Sequence, residues 1–456
     1  MLSPYRSLAM VAALALLIIS TSFLKASTVD GILYARDFPG NDIGAKVVAA
    51  DHSCAVGCTI LLPKGRLDFS TPIVIRRAAT VVGQGTGATL LNWVGESNAI
   101  PIKITYVMRV RLRDFTLNRN DSITSAPAIE VFGAWDTQID DIWCTANWGV
   151  WQRNAGFQGC IWITGTTQAP SCLTRVSNSR FENYSDYSIR IDNAVDTYIT
   201  GISNASYPDN TSTDGLVIDS NVGGLHVTTF SCSYGRHCLV VRNTLGGINP
   251  HWIYFNQFEG DTTTGGDAIV FDSSLGQEQV AAVFTNSWSA AAGLNDSGAV
   301  VSPGANGLRI AGGSSIMWEG RVRRNAGNGI LITSNTSSYI NIHDSSIYAN
   351  NVANSTDGHG IYVAGNSTHI GIINTEISNN LDYGFQRYGI KIARVHADQL
   401  RILNSDLSGN LTGPYFTANL GPAMVSGNMP VFTNSQGENS TRRSSREAVP
   451  RPVPEP

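Results

Sequence analysis

One short unit recurs through most of this 456-residue chain and limits its fold more than any other feature. The unit is a small or polar residue followed by apolar-x-apolar. It reads AIEVF at 128–132, CIWIT at 160–164, SIRID at 188–192, GLVID at 215–219 and CLVVR at 238–242. It continues as AIVFD at 268–272, GLRIA at 307–311, GILIT at 329–333, GIYVA at 360–364 and GIKIA at 389–393. Counted from the second residue of each copy, the steps are 32, 28, 27, 23, 30, 39, 22, 31 and 29 residues. Alternation of apolar and polar positions makes each copy a half-buried strand.

Between copies lies a second strand, usually with Asn or Asp three residues before an apolar one. Asp114…Leu117, Asn178…Phe181, Asp344…Ile347, Asn374…Ile377 and Asn404…Leu407 share that spacing. Asx side chains tolerate the tight backbone of a bend and hydrogen-bond the nearby main chain. Two strands per irregular period, with no helical periodicity between them, predict a solenoid. Leucine-rich repeats lack support because the fixed Leu pattern is absent. A propeller would need about four strands per blade. The expected fold is therefore all-β, a right-handed parallel β-helix of ten or more coils spaced about 4.8 Å apart.

Three segments stand outside the repeat. Arg6 and the apolar run Leu8–Ile19 have the order of a secretory signal, with a cleavage site after Ala26. An uncleaved anchor is the alternative, and no later segment reaches the ~18 apolar residues of a membrane span. Residues 42–51 (DIGAKVVAAD) predict a short amphipathic helix with Ile43, Val47 and Ala50 on one face, suited to capping the first coil. Residues 434–456 are polar and proline-rich and predict a disordered tail, leaving 27–433 as the β-helix.

Composition narrows the class. Only 14% of residues are charged and the net charge is −4, which argues against a disordered chain, a coiled coil or a nucleic-acid partner. Seven cysteines suit an oxidising compartment. Cys54/Cys58 and Cys232/Cys238 flank short loops. Cys144, Cys160 and Cys172 leave one pair and one free thiol, with the pairing open. A zinc site has no C-x-x-C or Cys/His cluster to support it.

Tyr34-Ala35-Arg36-Asp37-Phe38, the expected helix, Thr59–Gly65 (TILLPKG) and Val81-Val82-Gly83-Gln84-Gly85 resemble the N-terminal region of the pectate lyase-like superfamily. That superfamily includes polygalacturonases, pectate lyases and phage tailspike depolymerases. The resemblance runs from about 34 to 93 by motif and to about 410 by repeat. The acidic stretch usual before the cap helix is reduced here to Gly40-Asn41-Asp42. What the resemblance implies is the β-helix fold and action on a polysaccharide.

Stacked coils turn equivalent positions into columns. The position after each core reads Phe132, Thr164, Asp192, Asp219, Arg242, Asp272, Ala311. In a β-elimination, Asp192, Asp219 and Asp272 would hold Ca²⁺ against a uronate carboxylate, and Arg242 would remove the acidified proton. An exposed ladder of neutralising charges is the plainer reading. Two residues before the core the column reads Tyr187, Asp214, His237, Asp267, Asn306, Asn328, His359, Tyr388. Asp214 and Asp267 around His237 suit general acid–base hydrolysis, although Asp and Asn also serve turns for backbone reasons.

Gly358-His359-Gly360 and Gly389-Ile390-Lys391 are similar to the Gly-His-Gly and Arg-Ile-Lys motifs of polygalacturonases. The paired carboxylates those enzymes carry on the preceding coils are replaced by Asn306-Gly307 and Asn328-Gly329, so His359 and Lys391 are expected to bind substrate rather than cleave it. Trp135, Trp143, Trp148, Trp151 and Trp162 cluster within 28 residues, offering faces for sugar rings or filling for a wide coil. The function expected is an exported protein that cleaves an acidic polysaccharide as lyase or hydrolase. Its site would comprise Arg242, His237, Asp214 and Asp267, with Asp192, Tyr187, Trp162, His359 and Lys391 binding substrate. A non-catalytic adhesion module and a polysaccharide epimerase are the alternatives.

Overall fold

The ten copies of the repeat become ten neighbouring strands of one parallel sheet. The computed structural model describes residues 31–428 apart from 121, 147–154, 208–209, 334–337, 366, 380–383, 394–398 and 418–423. The expected signal segment, the proline-rich tail, Trp148 and Trp151 fall outside the described residues.

Sheet 1 has thirteen strands, one per coil. They are β1 (Ile73–Ile75), β2 (Ile102–Thr105), β3 (Ile129–Phe132), β4 (Gly159–Thr164), β5 (Tyr187–Ile191), β6 (Asp214–Ile218) and β7 (His237–Val241). The sheet continues with β8 (Ile269–Phe271), β9 (Leu308–Ile310), β10 (Ile330–Ile332), β11 (Ile361–Val363), β12 (Tyr388–Ile392) and β13 (Gly413–Thr417). Ile129, Ile161, Ile189, Leu216, Leu239, Ile269 and Leu308 pair in succession. Ile330, Ile361 and Ile390 continue the column. These are the residues that the repeat itself aligns. Three coils escaped the pattern because Pro72, Pro101 and Pro414 stand where the other copies have a small residue. That position faces the inside of the coil: a Cβ on Gly307 would lie 2.4 Å from Val322 Cγ1, and one on Gly360 2.3 Å from Ile377 Cγ2.

The return path carries two strand segments rather than the one expected. They meet at a corner where a residue in most coils takes a left-handed conformation, and together they form a second parallel sheet of 22 strands. Asp114, Asp141, Asn178, Asn286, Asp344, Asn374 and Asn404 hold this corner at φ 63°, 49°, 49°, 50°, 47°, 52° and 51°. The spacing of Asx before an apolar residue was the trace of that bend, because Asn and Asp enter the left-handed region at little cost. Between the sheets runs one continuous core of Ile, Leu, Val and Phe. In its middle Phe255 stacks on Phe284 at 4.3 Å between ring centres, and Trp318 packs tilted against Phe284 at 5.0 Å.

Helix α1 (Ile43–Ser53) buries Ile43, Val47 and Ala50 against the first strands. Asp42 accepts from Ala45 N at 2.8 Å and, through its other oxygen, from Ser70 N and Thr71 N at 2.9 Å each. Burial opposes its charge, but these donors win and hold its pKa below the ordinary value. Three disulfides join Cys54–Cys58, Cys144–Cys160 and Cys232–Cys238, and Cys172 is a buried free thiol. Cys160 and Cys238 occupy the small inward position, so their bonds cross the coil from sheet 1 to sheet 2. Among the described residues, no helix is long and apolar enough to cross a membrane.

Candidate functional site

The register places both predicted columns on the outer face of sheet 1, across β5 to β9. Tyr187, Asp214 and His237 pair directly. Asp192, Asp219, Arg242 and Asp272 each follow the core of β5 to β8 by one residue. The repeat therefore makes these residues neighbours on successive coils.

Their chemical state differs from the exposed ladder expected. Asp192 and Asp219 are 1% and 0% exposed. Asp192 accepts from Trp162 Nε1 at 2.8 Å, Thr164 Oγ1 at 2.5 Å and Arg190 Nε at 3.1 Å. Asp219 accepts from Arg242 Nε at 2.8 Å, Thr244 N at 2.8 Å, Thr244 Oγ1 at 2.7 Å and Ser220 N at 3.0 Å. Burial works against the Asp219 charge, yet these donors bring its pKa down to about 2. Asp272 turns its Oδ1 to Ser274 N at 2.9 Å and caps a short 3-10 turn.

This arrangement does not fit calcium. The oxygens of Asp192 and Asp219 are taken, and Arg190 lies 3.1 and 3.5 Å from the two carboxylates, where a cation would have to sit. No group of three or more His, Cys, Asp or Glu is placed to share a metal among the described residues. Arg242 is bound to a carboxylate that holds its proton in place, which works against its use as a base.

The second column is tied up in another way. Arg236 grips the buried Asp214 carboxylate with Nε at 2.9 Å and a terminal nitrogen at 2.5 Å. Asp267 Oδ1 accepts from Asn306 N and Nδ2, both at 2.7 Å, and its Oδ2 faces Arg309 Nε at 2.7 Å. Asn306 Oδ1 accepts from Asn328 N at 2.9 Å, and Asn328 Oδ1 from His359 N at 2.8 Å. The column is thus an amide ladder satisfying the backbone of each next coil, and it ends in the rings of His359 and Tyr388, 5.6 Å apart.

The expected substrate-binding residues are mostly enclosed. Tyr187 is buried over Gly159, where a Cβ would come 2.1 Å from its ring. Trp162 gives its N–H to Asp192 and carries the Arg190 guanidinium 5.6 Å from its ring centre. His359 is 1% exposed with neither ring nitrogen hydrogen-bonded, and burial and the nearby Lys391 push its pKa down to about 4. Lys391 pairs with Asp357 at 2.6 Å and lies over the Tyr362 ring.

Two groups on this face keep free chemistry. His237 Nδ1 lies 2.6 Å from the Asp267 carbonyl oxygen. A carbonyl only accepts, so Nδ1 carries the proton and Nε2 is a bare lone pair. Burial lowers the pKa of His237, overriding the Asp214 charge beside it. Asp186, one residue before β5, has its pKa raised by burial and by Asp214, with Arg242, Arg190 and Arg236 pulling the other way. Sequence reasoning missed Asp186 because the position repeats no acid: the next coils carry Thr213, Arg236 and Gly266 there.

A sheet of stacked coils with continuous side-chain columns defines a parallel β-helix protein, the fold that the N-terminal motifs imply. No family pattern matches the chain, and no curated protein matches its sequence. Solved structures do match. Tailspike protein 3 of bacteriophage CBA120 is similar at 11% identity with a TM-score of 0.60, over 89% of this chain and 62% of that one. The chain thus spans less than two thirds of that tailspike. The N-terminal fragment of gene product 12 of bacteriophage phi29 is similar at 14% identity, TM-score 0.58, over 91% and 74%. The A-module of Azotobacter vinelandii mannuronan C-5 epimerase AlgE6 matches at 11% identity, TM-score 0.49, over 88% and 100%. At such identities the likeness is one of fold.

Proposed function

We propose that the protein acts on a polysaccharide laid across β5 to β8 of sheet 1, by general acid–base cleavage of its backbone. The observation that carries this reading is the pair Asp186 and His237, one carboxyl pushed toward its protonated form and one imidazole held neutral with Nε2 bare. They stand two coils apart, roughly 10 Å by strand spacing, close to the separation of acid and base in inverting glycosidases. Arg190, Arg236 and Arg242, anchored on buried carboxylates, present fixed cations that favour an anionic chain. Asp214 and Asp267 then position Arg236 and His237 rather than react.

Export is part of the same reading. Three disulfides suit an oxidising compartment, as does the signal-like start. We read α1 as the cover of the first coil in a right-handed rod over 27–433.

The test is the full chain incubated with uronic-acid and neutral polysaccharides, with Ca²⁺ or a chelator, following reducing ends and unsaturated-product absorbance. Reducing ends alone, insensitive to the chelator and lost in His237→Gln, support the reading. Rising absorbance that requires Ca²⁺ would instead mean elimination. Binding without turnover would mean an adhesion module.

A further inference from the structure

The left-handed corner of sheet 2 is broken at one coil. Phe284 pairs with Trp318 and Ser287 with Gly320, so Glu319 alone faces Thr285 and Asn286. On the other side Trp318 pairs with Ile342 and Arg321 with Ser346, so Glu319 and Gly320 face His343, Asp344 and Ser345. The coil that begins at β9 is one residue short at the corner.

A shortened coil draws its corner inward. Gly320 passes so close to the coil before it that a Cβ would lie 2.0 Å from the Ser287 carbonyl oxygen. The dent left on the surface is a recess of about 570 Å³, within the ~300–1,000 Å³ of small-molecule sites. Local irregularities of this kind occur beside functional sites more often than elsewhere.

Small residues floor the recess, and its chemistry comes from Trp288, Glu319, Arg321, Asp344 and Glu376. Trp288, Arg321, Ser346 and Glu376 are successive members of one column, so the recess runs roughly 14 Å along the rod. The Arg323 guanidinium lies 4.3 Å from the Trp288 ring centre and braces the ring. An indole wall suits the apolar C–H face of a sugar, and Glu319 and Glu376 accept hydroxyl protons, whereas Asp344 is held by His343 Nδ1 at 2.9 Å and Asn374 Nδ2 at 3.2 Å. Glu319, Asp344 and Glu376 against Arg321, with Arg323 behind the indole, leave a net negative charge that disfavours an anionic sugar.

We infer that this recess binds a non-anionic sugar, neutral or amino-substituted, of a glycan chain. The site uses neither Asp186 nor His237 and stands apart from the chemistry proposed on sheet 1.

The experiment is calorimetric titration of the full chain with short gluco-oligosaccharides, glucosamine oligomers and oligouronates. Saturable binding of the neutral or the amino oligomer, and none of the uronate, is expected. Trp288→Ala and Ser346→Trp, which fills the floor, should each weaken binding at least tenfold. An Asn inserted between Glu319 and Gly320 restores the corner and should abolish it. Glu319→Gln should weaken the amino oligomer more than the neutral one. Thermal melting checks that each variant folds. Absence of saturable binding, preference for the uronate, or unchanged affinity in folded Ser346→Trp would overturn the assignment. Binding that vanishes in His237→Gln would place the sugar on sheet 1 and overturn it equally.

Discussion

His237 Nδ1 sits 2.6 Å from the main-chain oxygen of Asp267, and this contact decides which imidazole nitrogen is bare. The proposed chemistry needs Nε2 unprotonated and Asp186 protonated. His237 is lowered from 6.5 and Asp186 raised from 3.8, so each shift favours the protonation state that the chemistry requires. A bell-shaped kcat/KM profile is expected, its acid limb set by His237 below the ordinary 6.5 of an imidazole and its alkaline limb by Asp186 above the ordinary 3.8 of a carboxyl. His237→Gln and Asp186→Asn should each lower kcat by about 10²–10⁴. A profile rising steadily to pH 9 would exclude the pair.

Asp219 has an ordinary pKa of 3.8 and a folded value of about 2. A carboxylate depressed on folding contributes stability that is full above 3.8 and fades as pH falls toward 2. The contribution is about 2 kcal/mol. Arg242→Ala removes one donor to this buried group and should cost about 1–2 kcal/mol. Urea unfolding at pH 7 and at pH 3 measures both effects.

His359 carries the opposite charge chemistry with the same pH direction. Its folded value of about 4 lies below its ordinary 6.5. Above 6.5 the ring is neutral folded and unfolded, and stability is full. Between 6.5 and 4 the unfolded chain gains a proton that the folded chain refuses, and stability falls by on the order of 2–3 kcal/mol. His359→Phe should keep the ring contacts with Tyr362 and Tyr388 and flatten the melting temperature across this window. An unchanged slope would show that another group titrates there.

Asn306 joins two coils by four hydrogen bonds, two given to Asp267 and two taken from Asn328. Asn306→Ala strips Asp267 of one of its side-chain donors and leaves the Asn328 backbone N–H buried without an acceptor. A loss of about 2–4 kcal/mol is expected by chemical denaturation. Asn306→Asp should be no better, because it sets a second carboxylate against Asp267.

The repeat was legible to the residue. Ile129 through Ile390 pair in the order their spacing implied, since an inward apolar residue flanked by a small one has only one position in a stacked coil. The Asx spacing likewise marked the left-handed corner. Asp186 and the recess left no such trace. Asp186 belongs to no column, and the recess arises from a residue that is missing between Trp318 and Arg321, which a search for recurring residues passes over.

Column membership, then, was a property of the chain alone: parallel stacking at one strand spacing turns a sequence period into a spatial neighbour. The state of each member was not. Asp192, Asp214, Asp219 and Asp267 looked alike as exposed acids, and only the tertiary structure turned arginines and amides onto each of them. Burial makes an unpaired carboxylate costly, so the folded protein has paired all four. The chemistry proposed rests instead on Asp186 and His237, whose surroundings come from several coils at once.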